Sequence, residues 1–324
     1  MTIELGFSLS SEEHPPQDLV ALAVRAEELG FRFIGVSDHF HPWVGEQGQS
    51  PFVWTVLGAI AQATERIKVG TGVTAPIIRT HPVIIAHAAA TTQAIMDGRF
   101  FLGLGTGENL NEHIFGDRWP PADIRREMLE EAVEVIRKMW TGESVDHHGA
   151  HYTVEDARLY TLPETPPDIV IAASGPKAAT LAGRIGDGFW GTSPESETID
   201  AFHEADPANR DKPKYGQVTA CWAATEEEAR KTAHTIWPNG GVVGQLSADL
   251  PTPKHFEQAA EMVTEDAVAE KVVCGPRVED HVEQIKAMPT PATPTSTSTR
   301  SAATRTAGSG STRPSWDPPC ARPV

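Results

Sequence analysis

The sequence predicts an α/β protein built on a parallel sheet. Short β-rich runs alternate with amphipathic helical stretches from the first residue to about residue 287, and the two clearest helical stretches each stop at a glycine. With 324 residues and 40% hydrophobic content, the chain is also long enough for one large core. The strand candidates, in order, are Ile3–Ser8, Phe33–Ser37, Ile67–Thr71, Phe100–Gly105, Ile169–Ala172, Gly188–Gly191 and Gln217–Ala223, each a short β-rich run and most of them followed by a helix. In Pro16–Leu29 the residues Leu19, Leu22, Ala23, Ala26 and Leu29 form one helical stripe, and Gly30 supplies the stop. In Arg126–Thr141 the stripe is Leu129, Val133, Ile136 and Trp140, closed by Gly142. The span Ser144–Pro166, with His148-Gly149 as its turn, reads as a hairpin insertion. Pro238–Ala269 reads as a second insertion, ahead of a helix over Arg277–Ala287.

At Met288 the composition breaks. The last 37 residues are mostly Pro, Thr, Ser, Ala and Arg, with Val324 the single Ile, Leu, Val or Phe. Such a segment builds no core and reads as a disordered tail or linker, so the chain divides into a domain over 1–287 and a low-complexity tail over 288–324. A sharper expectation comes from codons. If these residues use GC-rich codons, regrouping the bases one position earlier turns Pro289–Ser301 into a chain such as ADAGYADVYVHQI. Ser296 and Ser298, if coded by TCN, then become apolar residues two apart, a strand signal. The expectation is a frameshift that removed the eighth strand and last helix of a barrel.

The full chain carries 27 basic and 44 acidic side chains, a net charge of −17 that repels polyphosphate backbones and so excludes a nucleic-acid partner. No run of about eighteen apolar residues offers a membrane span, and Met1-Thr2-Ile3-Glu4 does not open a signal peptide, so a cytoplasmic location is expected. Cys221, Cys274 and Cys320 are distant in sequence and odd in number, which predicts reduced thiols.

Four clusters at predicted strand ends carry chemistry-bearing side chains. The first, Val36-Ser37-Asp38-His39-Phe40-His41-Pro42-Trp43, combines an imidazole for proton transfer, a neighbouring carboxylate and a flat aromatic face. Its His39-x-His41 pair also matches metal-dependent barrel hydrolases, but the later strand ends offer Gly, Thr, Glu and Ser rather than further ligands, so no metal is expected. The second is Thr71-Gly72-Val73-Thr74-Ala75-Pro76. The third, Leu102-Gly103-Leu104-Gly105-Thr106-Gly107-Glu108-Asn109-Leu110-Asn111-Glu112, is a poor dinucleotide fingerprint and a better wide, glycine-lined opening. In the fourth, Ala172-Ala173-Ser174-Gly175-Pro176-Lys177, a strand opens directly into a helix, which suits a phosphate; Thr192 and Ser193 follow on the next strand. Each cluster alone also fits an ordinary loop, tight turn or helix cap.

In this order the clusters resemble the luciferase-like flavin and deazaflavin oxidoreductases, most closely the branch similar to coenzyme F420-dependent glucose-6-phosphate dehydrogenase. Ser37-Asp38-His39-Phe40 with Pro42-Trp43, Gly103-x-Gly105-Thr106-Gly107-Glu108-x-Leu110-Asn111-Glu112 and Gly183-Arg184-x-Gly186-Asp187-Gly188 carry the likeness. It implies a TIM (β/α)8 barrel of the bacterial-luciferase type with insertions, here without a proper eighth strand and last helix, binding F420 or, alternatively, FMN. By that likeness Asp38, a cis Gly72-Val73 peptide and Thr74, Thr106, Gly107 and Asn111 hold the ring and its chain. Ser174, Gly175, Thr192 and Ser193 hold the phosphate. His39 is the base, Trp43 stacks near the developing charge and Glu108 is the acid, in a hydride transfer between the cofactor and a small-molecule alcohol, carbonyl or activated alkene. The cationic positions of the sugar-phosphate enzymes look like Glu195, Thr219 and Lys271 here, which disfavours glucose 6-phosphate, and Ala75 replaces a hydroxyl residue. A flavin monooxygenase and an inactive cofactor-binding remnant with open sheet edges are the competing readings. The acidic helical surfaces and the Phe and Trp residues suggest a homodimer. Reading the gene past codon 288 in the regrouped frame is expected to yield an apolar strand and then an amphipathic helix; a continuation without that helix overturns the frameshift.

Overall fold

The computed structural model describes residues 3–192, 196–242 and 244–288, and the backbone of residues 295–301. The first half runs β1 (Glu4–Leu9), α1 (Pro16–Glu28), β2 (Phe33–Val36), α2 (Val53–Ala63), β3 (Lys68–Thr71), α3 (Pro82–Ile95), β4 (Phe100–Leu104), α4 (Asn109–Glu112) and α5 (Ala122–Met139). A hairpin of β5 (Val145–His148) and β6 (Thr153–Ala157) leads to β7 (Asp168–Ala172), α6 (Pro176–Ile185), β8 (Gly188–Thr192), α7 (Ser196–Ala205), β9 (Lys214–Cys221) and α8 (Glu226–Ile236). The second insertion holds α9 (Leu246–Asp249), α10 (Pro253–Ala260) and α11 (Glu265–Ala269), before β10 (Val272–Cys274), α12 (Val278–Ala287) and β11 (Thr295–Ser301).

Eight strands pair in parallel around a ring, β1, β2, β3, β4, β7, β8, β9, β11 and back to β1. All seven strands read from the sequence are present. The eighth position, where a proper strand was not expected, is filled by Thr295–Ser301, which pairs with β1 from Glu4 to Phe7 and with β9 from Lys214 to Ala220. Its composition is Ser and Thr rather than Val and Ile, and the pairing is a property of the backbone, which Thr accommodates readily. The expected loss of the last helix, and the rest of the tail with Cys320, fall on positions outside the described residues.

The ring is plugged by aromatic side chains, three of which occupy the space beside a glycine: Phe33 and Phe101 beside one on the adjoining strand, Trp190 beside one across the ring. Phe101 and Trp190 stack on Tyr215 with centroids 5.2 and 5.4 Å away, and Phe33 meets it edge-on at 5.1 Å. A Cβ on Gly6, Gly35 or Gly70 would lie 2.2 to 2.5 Å from Phe33, Trp190 or Phe101. Glycine in these strands is therefore space reserved for a ring. Outside the ring, α5 packs Leu129, Val133 and Ile136 into the main core, and it begins at Ala122, directly after Pro120-Pro121, rather than at Arg126. Gly30 takes φ +85° after α1, and Phe31 N donates to Ala26 O at 3.1 Å, the hydrogen bond of a left-handed helix stop.

Two details differ from the sequence reading. Cys221 and Cys274, distant in sequence, are directly paired positions of β9 and β10, a three-residue strand too short to recognise. Both thiols are free, and burial pushes each up, Cys221 to about 12. In addition, β9 starts at Lys214 rather than Gln217 because the ammonium, although buried, donates to the carbonyls of Arg210 and Lys212 at 2.8 and 2.9 Å.

Burial draws the Lys214 ammonium down from its ordinary 10.5 to about 8, Asp211 opposing. The unfolded chain therefore holds a proton between pH 8 and 10.5 that the folded chain has released, and folding gains stability across that window. Lys214→Met lacks this titration. Its urea stability relative to wild type is expected to be level below pH 8 and to fall between pH 8 and 10.5; a difference flat across the window contradicts the assignment.

Candidate active site

The site is built on the C-terminal rim of the ring, where β1 runs straight into a buried acidic turn. Glu12 is fully buried, and its Oε2 accepts from Ser10 Oγ at 2.9 Å and Ser37 Oγ at 2.7 Å. Ser37 Oγ also accepts from Ser11 N at 2.8 Å, which locks the ends of β1 and β2 together. The other oxygen, Oε1, lies 3.4 Å from His39 Nε2. His39 Nδ1 is 3.1 Å from His41 O and 3.2 Å from Asn111 Nδ2. The Asn111 amide is oriented by two backbone donors, Phe40 N at 2.9 Å and His41 N at 3.2 Å, both on Oδ1. A neutral imidazole satisfies one of its acceptors, Glu12 Oε1 or His41 O; the imidazolium satisfies both. Trp43 closes one side of the ring at 5.0 Å and itself packs edge-on against Phe256 of the second insertion at 5.1 Å.

Asp38, expected against the cofactor ring, belongs to a buried ion cluster. Its Oδ2 accepts from Thr74 Oγ1 at 2.7 Å and its Oδ1 from Arg79 Nη2 at 2.9 Å. Arg79 Nε lies 3.6 Å from Glu112 Oε1, while Glu112 Oε2 accepts from Ile78 N and Arg79 N at 3.0 and 2.8 Å. Burial works against the Arg79 charge, but Asp38 first, then Glu112 and Glu108, hold the guanidinium above its ordinary value. Burial pushes the Glu112 carboxyl up, with Arg79 opposing through its backbone N–H and its charge.

The Gly72–Val73 peptide is cis, as the family likeness implied. Thr74 N donates to Gly103 O at 2.9 Å, so this bulge is tied to β4, and a Cβ on Gly103 would lie 2.0 Å from Thr71 O. Gly107, at φ +68°, turns the chain so that Thr106, Gly107 and Glu108 line the opening while Leu110 and Asn111 go inward. Asn111 Nδ2 also donates to Glu108 Oε2 at 3.4 Å, so His39 and Glu108 share one amide. At the neighbouring strand end, Gly175 begins α6 with no side chain capping it, and a Cβ there would meet nothing within 4 Å. Ser174 and Thr192 are exposed beside it. Open backbone donors at a helix start, flanked by hydroxyls, suit a phosphate. Ser193 and Glu195 lie outside the described residues.

The structure thus brings His39, Trp43, Glu108 and Asn111 together and leaves Ser174, Gly175 and Thr192 as a separate exposed group at the ends of β7 and β8. Sequence reasoning missed Glu12 and Arg79 and gave Glu112 no role. The signal for Glu12 was a carboxylate three residues after the first strand; Arg79, eight residues past its strand, offered none. Among the described residues no group of three His, Cys, Asp or Glu stands ready to hold a metal, and no helix is long and apolar enough to cross a membrane.

Comparison with known proteins gives a consistent picture. The family model described as luciferase-like monooxygenase matches residues 2–291. The chain is 46% identical over 194 residues to an F420-dependent glucose-6-phosphate dehydrogenase of Kribbella flavida, covering 60% of this chain and 58% of that protein. It is 36% identical to an F420-dependent hydroxymycolic acid dehydrogenase of Mycobacterium tuberculosis, over 88% of this chain and 79% of the relative. A solved F420-dependent secondary alcohol dehydrogenase, in complex with an F420–acetone adduct, superposes with a TM-score of 0.83 at 29% identity, covering 92% of this chain and 94% of that one.

Because Asp38 and Glu112 depend on one guanidinium, Arg79→Met is expected to cost about 3–5 kcal/mol of stability. Adding Asp38→Asn and Glu112→Gln should restore most of it. A single variant as stable as wild type in a urea titration contradicts the cluster's role.

Proposed function

From the premise that this chain belongs to the luciferase-like monooxygenase family, we propose that it is an F420-dependent oxidoreductase moving hydride between the deazaflavin and a small alcohol, carbonyl or activated alkene. The observation that carries the reading is His39, an imidazole with an acceptor on each side, joined through Asn111 to Glu108 at a glycine-lined rim. The printed activities of the relatives support the same cofactor. The residues present fit it: Thr106, Gly107 and the Gly72–Val73 bulge would border the flat ring, Glu108 and Asn111 would flank it, and the uncapped start of α6 with Ser174, Gly175 and Thr192 would hold the phosphate. F420, when bound, supplies a ring that exchanges two electrons as hydride.

The chain itself manages position and protons. His39, with its Nδ1–H held by His41 O, takes the proton of the substrate hydroxyl at Nε2, and the Glu12 carboxylate 3.4 Å from that nitrogen stabilises the imidazolium that forms. Glu12 keeps its geometry through Ser10 and Ser37, while Trp43 shields one face of the imidazole. Glu108 acts as the acid on the ring side. Asp38 serves through Thr74 and Arg79, holding the rim loops rather than presenting a free carboxylate. Asp38, Glu108 and Glu112 act on an Arg79 already committed to two of them, and Glu12 stands beside His39, an excess of negative charge that disfavours dianionic sugar phosphates and favours neutral substrates. The pairing of β11 with both β1 and β9 also speaks for a closed barrel rather than a remnant with open edges. A homodimer remains part of this reading, with Phe52 and Ile84 as exposed apolar surface.

Fluorescence titration with F420 and with FMN tests the proposal: F420 is expected to bind and be reduced by neutral alcohols, and binding of FMN alone supports the monooxygenase reading. His39→Ala should lower turnover by roughly 10²–10⁴ while leaving F420 affinity nearly intact. Unchanged turnover removes His39 from the mechanism.

A further inference from the structure

We infer that Asp249, at the end of α9, is a positioning residue that fastens the second insertion to the rim loop bearing Glu108. The insertion touches the rim at two places. At one, Phe256 of α10 is fully buried against Trp43, Val44 and Leu110, and Glu257 Oε1 accepts from Gly45 N at 2.9 Å, which ties the insertion to the loop of His39 and Trp43. At the other, three groups from the far side of the rim converge on Asp249. Trp119 Nε1 donates to its Oδ1 at 3.1 Å, and Asn109 Nδ2, from the residue after Glu108, donates to its backbone carbonyl at 2.9 Å. Arg125 Nη1 lies 3.9 Å from the same Oδ1, with the guanidinium 4.3 Å over the Trp119 ring.

The second contact is built rather than incidental. Arg125 is buried at the start of α5, where its Nη1 also donates to Pro120 O at 2.9 Å. Burial lowers its affinity for the proton; Asp249 opposes this, Arg126 adds to it and Glu108 opposes it more weakly, so Arg125 feels both the insertion's carboxylate and the rim's. Trp119 bridges Arg125 and Asp249, its ring face under the guanidinium and its edge N–H on the carboxylate. The insertion thereby spans from the loop of His39 and Trp43 to the loop of Glu108, and the spacing of the proposed base and acid depends on both anchors. Asn109 and Arg125 have no other reason to meet Asp249, which lies more than 120 positions further along the chain.

This inference rests on the proposed function for its kinetic consequence but not for the contact itself. Asp249→Ala removes the acceptor for Trp119 and the charge facing Arg125. It is expected to raise KM for the alcohol roughly tenfold, the scale of one lost hydrogen bond to a charged group, with kcat within about twofold and the melting temperature unchanged. Hydrogen exchange over residues 253–260 should speed up in the same variant. Asp249→Asn, whose amide oxygen still accepts from Trp119, should bring KM most of the way back. If Asp249→Ala does not fold, Trp119→Phe removes the same hydrogen bond from the other side. Wild-type KM together with wild-type exchange over 253–260 in the variant overturns the inference. If the wild-type protein fails to bind F420, the functional reading falls, and the exchange measurement alone decides the anchor.

Discussion

One buried guanidinium organises the rim. Arg79 comes from the loop after β3, Asp38 from the loop after β2 and Glu112 from the helix after β4, so a single charge cluster joins three consecutive strand ends. Burying such ions is costly, and the arrangement persists because hydrogen bonds back the charges: Thr74 and Arg79 donate to Asp38, two backbone N–H groups donate to Glu112 Oε2, and Glu112 Oε1 faces the guanidinium at 3.6 Å. With those loops fixed, Asn111 has a defined place from which to grip the backbone at Phe40 and His41, and His39 is thereby aimed. The chemistry-bearing imidazole is thus two hydrogen-bonded layers removed from the charge that steadies it.

A second constraint acts below the rim. The barrel interior has room for the Phe33, Trp190 and Phe101 rings, packed with Tyr215, only because β1, β2 and β3 carry glycine at Gly6, Gly35 and Gly70. This packed floor closes the ring from beneath and leaves the open end at the carboxyl side, where loops rather than strands supply function. The two insertions extend that logic outward. The hairpin reaches back through Tyr152, whose hydroxyl donates to Pro76 O at 2.6 Å, to support the loop after β3. The second insertion covers Trp43 through Phe256.

Much of this was legible in the chain. Seven strands announce themselves by β-rich runs bounded by turn residues, and the hairpin by His148-Gly149. The motif of His39, Trp43, Glu108 and Asn111 was visible because chemistry-bearing residues cluster at strand ends. The closing strand was not visible as it stands: Thr295–Ser301 has the composition of a tail, and its place between β1 and β9 follows from backbone pairing that composition does not encode. The pairing of Cys221 with Cys274 was hidden for a related reason, since sequence separation says nothing about which strands become neighbours.

The sequence by itself determined the alternation of strand and helix, the acidic character of the surface and the residue types available at each rim position, because these depend on local periodicity and composition. Only the tertiary structure decided which of those residues act together. Glu12 stands behind His39, Asp38 turns to Arg79 instead of an open cleft, and Asp249 reaches Trp119, since each partnership joins positions from tens to more than a hundred residues apart and exists only once the ring has closed.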